Sequence, residues 1–115
     1  MNDALLHQAL RLHQAGQLAE AARLYAAVLQ ANPRHFQALY LLGFAHFQTG
    51  AFADAERLIG EAIKLNPRMP DAHYNRGCAL QSLERHDEAV ASFDAALALK
   101  PDYADALTNR GCSQM

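Results

Sequence analysis

The sequence predicts an all-α protein assembled from a repeated helical hairpin, and three observations carry that prediction. Of 115 residues, 24 are alanine and 17 leucine, whereas only Val28, Val90, Ile59, Ile63, Thr49 and Thr108 are β-branched. Alanine and leucine lose little side-chain entropy in a helix, and β-branched residues are the ones that strands favour. Pro33, Pro67 and Pro101 follow one another at steps of 34 residues. Gly43, Gly77 and Gly111 keep the same step, as do Ala21, Ala55 and Ala89. Several residue types locked to one period mark a repeat architecture.

Each unit divides into two helices, an A helix and a B helix. The first two units turn at Gly16 and Gly50, where a left-handed residue is needed, and stop at Asn32-Pro33 and Asn66-Pro67. In the third, an A helix is expected over 71–83, a turn at Glu84 and Arg85, and a B helix over 87–99. Ala79, Leu80 and Leu83 recur at helical spacing there, as do Ala89, Phe93, Ala96 and Leu97. Glu84 stands where the earlier units have glycine, at a conformational cost. Pro101 ends this B helix, and the last residues read as the A helix of a fourth unit. The expected units are therefore 2–35, 36–69, 70–103 and the partial 104–115, seven helices in all.

These residues resemble the tetratricopeptide repeat (TPR) family, whose unit is 34 residues with apolar residues at fixed places. Counting from Asn2, Phe36, Pro70 and Ala104, the first unit supplies Leu5, Ala9, Leu12, Ala21, Tyr25, Val28 and Pro33. The second supplies Leu39, Leu42, Gly43, Ala55, Ile59, Ala62 and Pro67, and the third Gly77, Leu80, Ala89, Phe93, Ala96 and Pro101. Leu107 and Gly111 open the fourth. Gln8, Arg76 and Arg110 at the seventh place and His46 at the eleventh depart from the pattern and are expected to soften packing. The resemblance implies a right-handed superhelical solenoid in which the A helices line a concave face. It implies tight A–B crossings at the small residues, so that enlarging Gly77 or Ala89 overpacks them.

The same resemblance implies a groove for a protein or peptide partner, lined from the first unit by Leu6, His7 and Leu10. The second unit brings Tyr40, Leu41, Phe44 and Phe47, the third Tyr74, Asn75 and Cys78, and the fourth Asn109. Its first half is apolar and aromatic, its second half polar. An apolar patch of this kind marks an interaction site, although Phe44 and Phe47 could instead tuck between helices. Asn75 and Asn109 repeat in register and look similar to the asparagine ladder of O-linked N-acetylglucosamine transferase. An amide that both donates and accepts can hold a peptide backbone of any sequence. Plain repetition of Asn-Arg-Gly explains the pair equally well. A grip on an acidic C-terminal tail is not expected, because Leu6, Leu10, Leu41 and Asp71 replace the basic and amide residues of such a clamp.

Other chemistry is missing from the sequence. The six histidines are not spaced as metal ligands, no phosphate-binding glycine loop occurs, and no nucleophile has a base beside it. No enzyme activity and no cofactor are expected. A net charge of −2 argues against nucleic acid, and no apolar run approaches the roughly 18–20 residues of a membrane span. Two cysteines make no disulfide framework, and Cys78 and Cys112 fall on neighbouring helices too far apart to bond. The first residues do not resemble a secretory signal, and a cytoplasmic location is expected. Charge is uneven: residues 1–35 carry +1, 36–69 carry zero and 70–115 carry −3. That acidic end favours a basic partner segment, weakly because exposed charge is screened. Two alternatives to a groove scaffold follow from the open fourth unit. The uncovered Leu107 face could pair two copies into a homodimer, or the chain could be the TPR portion of a larger bacterial protein such as a glycosyltransferase.

Overall fold

The computed structural model describes residues 2–114. It contains seven helices among them: α1 Asn2–Gln14, α2 Leu18–Ala31, α3 Phe36–Gln48, α4 Phe52–Leu65, α5 Pro70–Ser82, α6 His86–Leu99 and α7 Ala104–Gln114. No strand interrupts them among the described residues, so the Ala/Leu excess and scarcity of β-branched residues express themselves as expected. The molecule is elongated, 44 × 25 × 21 Å.

Two kinds of turn alternate. Each short turn after an odd helix holds one residue in the left-handed region: Gly16 at φ 84°, Gly50 at φ 88° and Glu84 at φ 62°. Glutamate there sets its Cβ against the neighbouring carbonyl, a strain of about 1–2 kcal/mol that glycine avoids. Between α2 and α3, and again between α4 and α5, the asparagine of Asn-Pro shapes the turn. Asn32 Oδ1 accepts from the Arg34 N–H at 3.3 Å, and Asn66 Oδ1 from the Arg68 N–H at 3.2 Å. His35 then caps α3, its Nδ1 accepting from the Ala38 N–H at 3.2 Å.

Small residues let the paired helices approach. A Cβ on Gly43 would lie 2.6 Å from Ile59 Cγ1, and one on Gly77 would lie 2.6 Å from Phe93 Cε1. Ala21, Ala55 and Ala89, one per unit, are fully buried opposite these crossings. Packing follows the chain, each helix resting on those before and after it. Two apolar clusters result. One joins Leu6, Ala9, Tyr25, Leu39, Leu42 and Leu58; the other joins Cys78, Leu80, Phe93, Ala96 and Ala106.

The arginines at the seventh place correct the expectation of softened packing. Arg76 reaches from α5 to Glu56 of α4 at 3.0 Å, its Nε 3.6 Å from where a Cβ on Gly60 would stand. Arg110 of α7 pairs likewise with Asp94 of α6. These residues tie successive units together across the outer surface. No helix is long and apolar enough to cross a membrane. Cys78 is buried and Cys112 exposed, both as free thiols.

Candidate functional site

The odd helices form one wall. Besides packing on their even partners, α3 touches α5 and α5 touches α7, and hydrogen bonds between side chains cross from each odd helix to the next. The even helices do not approach one another in this way, which puts α1, α3, α5 and α7 on the inner curve.

At the α1–α3 end, Leu10, His13, Gln14, Leu41, Phe44 and Gln48 line a cleft of about 330 Å³. Leu10, Leu41 and Phe44 are half-buried. His13 holds the cleft in shape. Its Nε2 lies 2.6 Å from Gln48 Oε1 and its Nδ1 2.9 Å from the Tyr25 hydroxyl. A carbonyl oxygen can only accept, so Nε2 donates to Gln48, and in the neutral ring Nδ1 accepts from Tyr25. Tyr25 is fully buried, and that burial pushes its hydroxyl up to about 12. Phe36, Tyr40 and Phe44 run along α3 as near-parallel rings 6.4 Å apart, with His13 tilted on Phe44 at 5.6 Å.

At the α5–α7 end the wall turns polar. Asn75 donates from Nδ2 to the Tyr40 hydroxyl at 2.7 Å, and Asn109 donates from Nδ2 to the Tyr74 hydroxyl at 3.0 Å. Asn109 Nδ2 also donates to the Asp105 carbonyl at 2.9 Å, which fixes the amide's orientation. Tyr103 donates to Asp71 at 2.6 Å, and its ring lies 5.1 Å from that of Tyr74. Desolvation, then the nearby Asp71 charge, raises Tyr40 to about 12 despite the hydrogen bond from Asn75. Burial also raises the Cys78 thiol, offset in part by Tyr74 and reinforced by the Asp105 charge.

The sequence-predicted residues divide on this wall. Leu10, Tyr40, Leu41, Phe44, Tyr74 and Asn109 are half-buried along it, and His7 is exposed. Leu6 is 5% exposed and belongs to the first apolar cluster, a correction to its expected place on the groove surface. A leucine has no polar tip to satisfy and folds fully inward, whereas Tyr40 one unit later stays half-buried with its hydroxyl bonded to Asn75. Cys78 is also buried, within the second cluster. Phe47 is half-buried, leaning on Phe52 at 5.4 Å and on the second cluster. Leu107, on α7, is 52% exposed. Sequence reasoning missed Tyr103, which has no aromatic counterpart one period earlier and so gave no signal.

A tetratricopeptide repeat profile matches residues 12–80, and another matches residues 70–103. No curated protein sequence matches the chain significantly. Among solved structures, the first TPR of Spaghetti (RPAP3), bound to the HSP90 peptide SRMEEVD, superposes with a TM-score of 0.94 at 24% identity. That match covers 98% of this chain and 90% of the other. MamA gives 0.94 at 24% identity, over 97% of this chain and 66% of its own. A mutant O-GlcNAc transferase from Thermobaculum terrenum is 31% identical with a TM-score of 0.89, and this chain spans 22% of its length. The stacked hairpins, the small residues at their crossings and the matched profiles agree: the chain belongs to the tetratricopeptide repeat family.

Proposed function

We propose that this chain is a non-enzymatic cytoplasmic interaction scaffold that holds an extended peptide or a helix of a partner protein along its inner wall. The four expected units, 2–35, 36–69, 70–103 and 104–115, each give that wall one helix. The observation that carries the reading is the α1–α3 cleft, lined by the half-buried apolar side chains of Leu10, Leu41 and Phe44 beside the hydrogen-bonded His13–Gln48 pair. Apolar surface grouped in a concavity gains free energy when an apolar partner side chain covers it. His7, Tyr40, Phe47, Tyr74, Asn75 and Asn109 extend the contact surface beyond the cleft. The peptide carried by the Spaghetti TPR is a precedent for the fold in this role.

Peptides selected on the chain from a displayed random library test this. Phe44→Ala and Tyr40→Ala should each weaken the selected peptides about tenfold, roughly the 1.4 kcal/mol of one buried apolar contact, with circular dichroism unchanged. Equal binding by these variants would sink the groove assignment.

Self-association is a second reading, favoured by one observation: Leu107 and Leu99, 52% and 41% exposed, stand at the α7 end of the molecule. Sedimentation over a concentration series should then show a dimer that Leu107→Glu abolishes. A wild type that stays monomeric throughout excludes it.

A further inference from the structure

The two asparagines of the inner wall are already engaged by their neighbours, Asn109 through both amide hydrogens, to Tyr74 and the Asp105 carbonyl, and Asn75 through one, to Tyr40. Their Oδ1 atoms accept nothing among the described residues. Asn75 is nine-tenths buried, and no fully buried side-chain oxygen lacks a partner among the described residues, so its Oδ1 keeps some contact with solvent. Each amide thus keeps an unspent acceptor on this half of the wall.

The carboxylates agree with that polarity. Asp71 lies against Tyr40 and Tyr103, and Asp105 lies close enough to Tyr74 and Cys78 to raise both. The arginines of the same helices are turned away to the outer surface, Arg76 to Glu56 and Arg110 to Asp94. Lys100 lies at the rim, 4.9 Å over the Tyr103 ring. The wall thus combines an apolar cleft between α1 and α3 with an anionic, acceptor-rich, tyrosine-lined stretch between α5 and α7. An acidic segment would meet repulsion there. A guanidinium or ammonium group would meet two carboxylates, two amide oxygens and aromatic faces, the partners its donors and charge require.

Resting on the groove reading above, we infer that the groove selects a cationic linear segment. One apolar side chain of the partner enters the α1–α3 cleft, and an arginine or lysine of the same segment seats among Asp71, Asn75, Asp105 and Asn109. Both aspartates also sit in the first turn of their helices, where a carboxylate suits the helix dipole. Asp→Asn substitutions keep the side-chain shape in that setting, so they test charge without removing the side chain.

The probe is the same displayed random peptide library, selected on the whole chain. Enriched peptides should pair Arg or Lys with a Leu, Met or Phe, lose affinity as salt rises, and bind the Asp71→Asn/Asp105→Asn variant at least about tenfold more weakly. Asp105→Lys, at an exposed position, should repel them even more strongly and serves if the double variant folds poorly. Enriched peptides that are acidic or uncharged, yet depend on Phe44, overturn the cation selectivity and leave the groove standing. Failure to enrich any peptide, or binding unaffected by Phe44→Ala and Tyr40→Ala, overturns the groove and this inference together.

Discussion

At the residue scale, one repeated position shows how context sets the sign of a substitution. Gly77 faces Phe93, which is fully buried and cannot retreat. Gly77→Ala should therefore destabilise the protein by about 1–3 kcal/mol through overpacking. Gly111 holds the same place in the repeat, but a Cβ built there meets nothing within 4 Å beyond its chain neighbours and its own helix backbone. Gly111→Ala should instead stabilise by up to about 1 kcal/mol, by removing a flexible residue from a helix. Denaturant melts of the two variants check both signs. Tyr25 supplies a pH dependence. Its folded pKa of about 12 exceeds the ordinary tyrosine value near 10, so the folded state holds the proton more tightly. The associated stability is complete below pH ~10 and is lost as pH rises toward ~12. Tyr25→Phe should flatten that alkaline decline in melting temperature while lowering the neutral plateau by about 0.5–1.5 kcal/mol, because His13 Nδ1 loses its donor.

At the element scale, the joints between helices explain what the sequence disclosed and what it hid. The A–B crossings were legible because a steric demand allows few residues: Gly43, Gly77 and the alanines opposite them repeat without drift. The left-handed turn was legible for the same reason, and Glu84 stood out as its one departure from glycine. Glu84→Gly should raise stability by about 1 kcal/mol, measured by the same melts, through release of the φ 62° strain. The ion pairs were hidden. Arg76 and Arg110 keep the period, but their partners do not: Glu56 lies 20 residues back and Asp94 lies 16 back. Periodicity therefore flagged the arginines as misfits in an apolar row and could not supply their counter-charges. A double-mutant cycle of Arg76→Met with Glu56→Gln should return a coupling of about 0.5–1 kcal/mol that shrinks in high salt. The groove was legible in outline, since apolar and polar halves fall where helical spacing puts them. Which end of each amide is spent depends on tyrosines 35 residues away, and no local pattern encodes that.

At the scale of the whole molecule, two clusters in series replace a single core. Ala106 of α7 is fully buried against the second cluster, so α7 shields Cys78, Leu80 and Phe93 from water. Removing 104–115 should raise amide exchange throughout α5 and α6 well before it reaches α1 and α2, as nearest-neighbour coupling requires. Hydrogen-exchange mass spectrometry resolves that gradient; uniform loss of protection would show one cooperative unit instead. The ladder of side-chain bonds across the odd helices also bears on how the chain reaches this state. Those bonds span at most 35 residues, and no helix waits for a partner from the far end of the sequence. Loop closure thus asks little entropy at every step, and the polypeptide can begin to collapse at any hairpin and zip outward in either direction, on a timescale of microseconds to milliseconds.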